Sequence, residues 1–247
     1  AIDSGGIHIT GSFQSEAGFP GGDWQPNTTE MDSIGNMIYT VVVNVPAFAE
    51  YEYKFINGSG TYGLEFVPFE SRVDPVLNDN RWIYIDSLSS DTMDIGAIRF
   101  SGNAPMGKYL LRLNVDMQLQ TLDATGCHVE ASFNGMNPLT TFMYSFDGNV
   151  HQYIAYIDSV NNMAQFKYVN GNTFAGEETV PAFCQLINTN RGLVLPKDSV
   201  LPVVCFNYCT DCSSIGVHEI AAENNFSIAP NPSSENTKIS WSSNMNS

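Results

Sequence analysis

The residues with the most evident chemical potential are the carboxylates, four histidines and five cysteines. Glu177-Glu178 is an adjacent acid pair, and glycoside hydrolysis needs two carboxylates flanking the bond. Yet Glu65 stands before Val67-Pro68 as Glu178 stands before Val180-Pro181, which reads as an acid repeated for structure. Cys209-Thr210-Asp211-Cys212 has the spacing of half a zinc ribbon, but no second cysteine pair or histidine cluster accompanies it. A thioredoxin-like use of that spacing needs a βαβ setting, which the pattern lacks. His8 and His128 fall at matching places of a repeated strand, which favours packing. Neither His151 nor His218 lies near a Ser or Cys nucleophile motif. No loop carries the spaced Asp/Asn/Gly pattern of a dedicated calcium site. The reading is a non-catalytic protein, with no metal and no cofactor.

The elements that hold these residues are written twice. Tyr53-Lys54-Phe55-Ile56-Asn57-Gly58 returns as Phe166-Lys167-Tyr168-Val169-Asn170-Gly171, 113 residues later. Gly6-Ile7-His8-Ile9 answers Gly126-Cys127-His128-Val129, Thr28-Thr29-Glu30-Met31 answers Thr140-Thr141-Phe142-Met143, and Asn80-Arg81 answers Asn190-Arg191. Such self-similarity indicates a tandem duplication. It divides the 247 residues into a first repeat (1–102), a second (106–212) and a remainder (213–247).

Frequent Gly and Pro, many aromatics and the lack of sustained 3.6-residue spacing indicate an all-β protein. Tyr39, Val41, Val43 and Val45 share one strand face; Tyr51, Tyr53 and Phe55 share another, with Glu52, Lys54 and Ile56 opposite. Residues 81–85 and 95–100 close the first repeat as strands. Tyr109–Met117 opens the second as an amphipathic strand, with Leu111, Leu113, Val115 and Met117 alternating with polar residues. The 26 acids and 10 bases give a formal net charge of −16, which repels nucleic acid and anionic lipid. No apolar run approaches the ~20 residues of a spanning helix, so no membrane insertion is expected. Ala1-Ile2-Asp3-Ser4 does not read as a signal peptide and suggests a processed N-terminus.

Gly11-Ser12-Phe13, Trp24, Met31, Tyr53-Lys54-Phe55 and Asn57-Gly58 together resemble the starch- and glycogen-binding β-sandwich modules. The whole repeat, with Val115-Asp116-Met117 and Val204-Cys205-Phe206-Asn207-Tyr208-Cys209, looks more like tandem modules of large secreted bacterial surface proteins. The likeness covers about residues 6–212. Phe226-Ser227-Ile228-Ala229-Pro230-Asn231-Pro232 resembles the start of the C-terminal sorting domain of type IX secretion cargo. These resemblances imply two tandem immunoglobulin-like β-sandwiches followed by a short strand segment. They imply an exported, extracellular or cell-surface structural and adhesive protein. A carbohydrate-binding module of a polysaccharide-degrading enzyme is the alternative, with polysaccharide as partner. In the glycogen-binding family, rings stack on an aromatic pair and a Lys bonds hydroxyls. Those positions fall on Trp24, on Thr61 or neighbouring Tyr62, and on Lys54, with Phe19 of the Ser15–Gly22 insertion as a second wall. In the second repeat they fall on Met136, Phe174 and Lys167. Edge packing of the same aromatics is the competing reading.

In an exported protein, Cys184, Cys205, Cys209 and Cys212 read as disulfide partners. Cys184 follows the Val-Pro turn and Cys205 lies in the closing strand. The expected bridges are therefore Cys184–Cys205 and Cys209–Cys212, although four cysteines allow three pairings. Cys127 replaces Ile7 and reads as a buried thiol. The counterpart of the Tyr109–Met117 strand would precede residue 1, so the first sandwich takes that strand either from residues outside this stretch or from another copy. Phe226 and Ile228 alternate in the C-terminal segment, as do Thr237, Ile239 and Trp241. The expectation is that this segment of one copy is added to the first sandwich of the next, beside Ile7–Phe13 or its sheet partner, as a filament would require.

Overall fold

The structure is a computed structural model. It describes residues 1–74, 76–86 and 92–215, and the backbone of two later strands. Ala1–Cys212 is one compact unit and Ser213–Ser247 another. The described residues contain no α-helix, and the protein is all-β.

In chain order the strands of the first repeat are β1 (Ile7–Gly11), β2 (Asp32–Gly35), β3 (Ile38–Thr40), β4 (Ala49–Asn57), β5 (Arg72–Asp74) and β6 (Asn78–Ile85). The second repeat contributes β7 (Lys108–Asp116), β8 (Cys127–Ala131), β9 (Phe142–Ser145), β10 (Val150–Asp158), β11 (Met163–Asn170), β12 (Arg191–Val194), β13 (Ser199–Val200) and β14 (Val204–Cys205). Beyond it, β15 (Ser227–Ala229) and β16 (Lys238–Ser240) pair antiparallel with each other, Ile228 opposite Ile239. Phe226, Thr237 and Trp241 lie outside the described residues.

The signature strands are central. β4 runs antiparallel between β1 and β6, and β11 between β8 and β12. Period-2 alternation turns Tyr51, Tyr53 and Phe55 into one core and Ala164, Phe166 and Tyr168 into the other. Tyr53 and Phe55 meet edge to face at 5.6 Å and 68°, Phe166 and Tyr168 at 5.5 Å and 68°. Each buried ring contributes about 1.5–3 kcal/mol relative to exposure.

The second repeat is one eight-stranded sheet rather than two separate ones, in the order β12-β11-β8-β9-β10-β7-β13, with β14 also on β7. β9 pairs with β8 on one side and β10 on the other, so the sheet curls and its halves enclose the core. Leu111, Leu113, Val115 and Met117 fill that core as their alternation predicts. The opposite face of β7 does not meet solvent, because Arg112 and Asn114 are buried as well. Asn114 donates to the Leu201 carbonyl at 2.6 Å, and Arg112 reaches across to the first repeat.

The first repeat has a four-stranded sheet, β1-β4-β6-β5, and the small β2–β3 pair. Here the expected strands over 39–45 and 95–100 are cut short. β3 ends at Thr40, and residues 41–46 and 93–98 belong to no ladder. Val41, Val43, Val45, Ile95 and Ile98 still pack half-buried on the core. Their hydrophobic pattern is satisfied, but no described strand lies between them to take their backbone groups.

The bridges differ from the expected pairing. Cys184 joins Cys209, and Cys205 joins Cys212, with Cα separations of 6.1 and 4.7 Å. The reason is the turn after β14. The Cys205 N–H donates to the Thr210 carbonyl at 2.8 Å and the Tyr208 N–H donates to the Cys205 carbonyl at 2.9 Å, which swings Cys209 toward the 182–184 turn. Cys127 is a buried free thiol, as expected, and burial pushes its titration up.

Candidate functional site

The residues that looked chemical are joined in a framework present in both repeats. Glu65 and Arg81 form a buried two-point ion pair, with Nε and Nη2 donating at 2.8 and 2.7 Å. Glu178 and Arg191 do the same at 2.8 and 2.6 Å. The first acid oxygen also accepts the backbone N–H of the signature strand, Phe55 at 2.9 Å and Tyr168 at 3.0 Å. Each guanidinium donates at 2.7 Å to a distant carbonyl, Gly102 or Tyr208, and lies over the strand's aromatic ring at 5.5 or 5.4 Å. Burial works against both arginine charges, but the hydrogen bonds and charge of the paired glutamates outweigh it and raise both guanidinium pKa values. A charged pair taken out of water survives only with such complete hydrogen bonding. The repeated acid was legible in the sequence. Its arginine was visible only as an unexplained Asn-Arg match.

Asn57-Gly58 and Asn170-Gly171 form a second repeated clasp. Asn57 Oδ1 accepts from Asp3 N–H and its Nδ2 donates to the Ala1 carbonyl; Asn170 does the same with Asp123 and Thr121. Gly58 and Gly171 sit at φ +111° and +104°, where a side chain would be strained. A third repeated hub was missed altogether. Gln14 is fully buried and ties Thr10, Gln25, Thr28 and Thr29 together, and Asn134 plays that part for Ala131, Asn137 and Thr141.

The glycan-site residues take these places in the framework. Lys54 is buried and ion-paired with Asp79 at 2.7 Å; Lys167 pairs with Glu177 at 2.6 Å. Phe19 packs on the first core. Trp24 is 39% exposed and held at φ +60°, its N–H donating to the Gly11 carbonyl. Met136 has the same conformation, φ +57°, and the same bond to Ala131, so that geometry belongs to the repeat and not to tryptophan. Tyr62 is 93% exposed and its ring covers Gly60. Trp24 sits by the Gly11 end of the β1–β4 ladder and Tyr62 follows the Asn57 end. Four residues of strand put these ends roughly 13 Å apart. Trp24 and Tyr62 therefore stand at opposite ends of that ladder.

His128 has a structural role, and His218 lies outside the described residues. His128 is fully buried with Nδ1 2.7 Å from the Pro138 carbonyl oxygen and Nε2 2.9 Å from that of Thr125. Glu177 and Glu178, adjacent in sequence, point to Lys167 and Arg191 respectively.

Between the repeats runs an aromatic seam. Trp82 and Tyr84 of β6 meet Phe142 and Tyr144 of β9 and the following Phe146, with Tyr84 stacked at 4.6 Å on Phe142 and 5.0 Å on Tyr144. Arg112 lies over Trp82 at 5.8 Å and donates to the carbonyls of Arg72 and Val73 at 2.5 and 3.3 Å. Burial brings its pKa down to about 10, which still leaves it charged at neutral pH. Glu50 enters the same seam with Oε1 buried and unpartnered, and Trp82 Nε1 is likewise without a partner. Burial, helped by the neighbouring Glu52 charge, raises Glu50 from 4.5 to about 7. At one end of the seam lies an open cleft of about 480 Å³, lined by Phe48, Tyr84, Leu122 and Phe142 with Asp86, Asp123 and Asn172.

No protein-family model, curated protein or solved structure is similar enough to this chain to assign it a family.

Proposed function

We propose that the chain is a non-catalytic structural and adhesive part of an exported, surface-associated protein, assembling with other chains through β-strand addition. One observation carries the reading. The repeated acid and arginine are spent on the same structural bond in both repeats, Glu65 with Arg81 and Glu178 with Arg191, and each repeated lysine is tied to a carboxylate of its own repeat, Lys54 to Asp79 and Lys167 to Glu177. Selection for a rigid frame explains such duplication, whereas an active site would make the copies diverge. The two disulfides fit an oxidising compartment outside the cytoplasm. No helix among the described residues is long and apolar enough to cross a membrane.

A second reading, carbohydrate binding, draws on the inter-repeat cleft, where Phe48 stands 69% exposed near Tyr84, Asp86 and Asn172. Aromatic faces with a few polar groups are the usual makings of a sugar site. Two measurements separate the readings: native size by gel filtration with light scattering, and retardation in an α-glucan affinity gel. Concentration-dependent assembly without retardation supports the structural reading. Retardation abolished by Trp24→Ala or Phe48→Ala, with the unfolding midpoint unchanged, replaces it with carbohydrate binding.

A further inference from the structure

The two repeats share a ladder, a Glu–Arg pair and an Asn-Gly clasp, so a place where their side chains differ in concert marks a property that one repeat has alone. The lysine of the signature strand is such a place. Strand register puts Thr10 opposite Lys54 in the first repeat and Glu130 opposite Lys167 in the second. The residue before the framework glutamate bridges the signature strand in both repeats, Leu64 to Ile56 and Glu177 to Val169. Where the first repeat has Thr10 and Leu64, the second therefore has two carboxylic acids beside one lysine. Lys54 takes its carboxylate from Asp79 on β6, whose side chain is half exposed.

The three groups of the second repeat meet on the outer face of β11, where Lys167 and Val169 point away from the core that holds Phe166 and Tyr168. That face is covered: Val169 and His128 are fully buried and Glu130 is 3% exposed. Lys167 Nζ donates to Glu177 Oε2 at 2.6 Å, with side chains 13% and 27% exposed. The Glu130 carboxyl is hydrogen-bonded to Glu177 in its turn. One ammonium does not neutralise two buried carboxylates, so one acid holds a proton. Glu130 is that acid, because burial, the Glu177 charge and the hydrogen bond to Glu177 raise its pKa against the pull of Lys167. The backbone fixes all three. Glu130 and Lys167 are ladder partners, and the Glu178 N–H donates to the Tyr168 carbonyl at 2.9 Å, which pins Glu177 against β11. A plain ion pair has no use for the third group, as Lys54 and Asp79 show.

We propose that Lys167 and Glu177 are a self-modification site, where the two side chains condense to an intramolecular amide with Glu130 as the proton donor and acceptor. The ammonium first passes a proton to the Glu177 carboxylate, which leaves a neutral amine and a neutral acid. Nζ then attacks Glu177 Cδ while the Glu130 O–H donates to the Glu177 oxygen and takes up the charge that develops there. The Nζ–Cδ bond forms and one Cδ–O bond breaks. Of the three protons that began on Nζ the amide keeps one, and the other two leave with the oxygen as water. Glu130 gives a proton to the departing oxygen and recovers one from the nitrogen, so it ends as it began. No oxidant, metal or second molecule enters the step. Two groups held in contact on a fixed backbone react with effective molarities of about 10⁵–10⁸ M, which favours condensation even in water. The covered side shields the product from hydrolysis, and the partly exposed Glu177 gives the leaving water an exit. The bond goes beyond the structural reading and holds whatever the chain attaches to: it ties β11 covalently to the turn that follows it.

The test is the intact mass of the whole 1–247 chain, purified folded and then reduced and denatured. The protein should be lighter than its sequence by one water. Trypsin should fail to cut after Lys167, and tandem mass spectrometry should place the loss between Lys167 and Glu177. Lys54 is the internal control, and trypsin should cut after it, because Thr10 and Leu64 supply no acid there. Lys167→Arg keeps the positive charge without the nucleophilic amine and should restore the full mass. Glu130→Gln keeps the shape without the acid and should leave Lys167 cleavable in the freshly purified protein. A full sequence mass for the unsubstituted protein, the result an ordinary ion pair gives, overturns the proposal, and it does so whether or not the variants fold. Loss of water that persists in Lys167→Arg overturns it as well, and an amide formed undiminished in Glu130→Gln overturns the role of Glu130.

Discussion

Replacing Glu178 by Ala is the sharpest test of the framework. The change strands the Arg191 guanidinium, which keeps only the Tyr208 carbonyl at 2.7 Å and a Cys184 sulfur contact, and it strips the Tyr168 N–H of its acceptor. Removing one partner of a buried pair costs about 3–5 kcal/mol, because the remaining charge is uncompensated. Glu178→Ala should therefore lower the unfolding free energy of the oxidised protein by about 4 kcal/mol. Adding Arg191→Met removes the stranded charge and leaves two neutral backbone groups, each worth about 1–3 kcal/mol when unpaired. The double variant should thus recover about 2 kcal/mol relative to Glu178→Ala, a coupling of opposite sign to simple additivity. Glu65→Ala should match Glu178→Ala within about 1 kcal/mol, since Arg81 keeps an equivalent bond to Gly102. Urea titrations of the four proteins with constant slope decide the matter. A loss below about 1 kcal/mol for Glu178→Ala, or a double variant weaker than the single, would refute the reasoning.

Glu50 gives a pH dependence. Its folded pKa, about 7, lies above the ordinary 4.5, so the folded state holds the proton longer and stability falls as pH rises between these values. Above pH 7 the penalty is fully present; discounted for partial exposure, it is about 1–2 kcal/mol. Glu50→Gln should flatten that slope and stabilise the protein at pH 8, measured by thermal melts from pH 4 to 8. Cys184→Ser with Cys209→Ser opens a loop of sequence separation 25 and should cost about 3 kcal/mol in urea. Non-reducing peptide maps should recover Cys184–Cys209 and Cys205–Cys212, and leave Cys127 alkylatable only after unfolding. Gly63→Ala and Gly176→Ala would place a Cβ 2.3 and 2.0 Å from the Asn57 and Asn170 carbonyl oxygens. Both should destabilise by about 1–3 kcal/mol in the same titration.

Much of this protein is written locally. Alternation put Tyr51, Tyr53 and Phe55, and Leu111, Leu113 and Val115, on core faces, because a strand's side chains have a fixed period of two and burial rewards whichever face is apolar. The duplication marked Glu65 and Glu178 as structural, and the substitution of Cys127 for Ile7 marked a buried thiol, since equivalent positions meet equivalent surroundings. What depends on how distant segments meet was not written locally. Lys54 and Lys167 are the same residue of the same motif, yet one finds Asp79, 25 residues on, and the other Glu177, 10 residues on. The disulfide pairing turned on the bend after β14, which brings Cys209 to Cys184. Nothing local sets Trp82, Tyr84, Phe142 and Tyr144 apart, and only their packing across two repeats makes them a seam. Val41–Val45 had every local sign of a strand. A strand is completed by hydrogen bonds from a neighbour, however, and the tertiary structure alone shows that the described residues supply none.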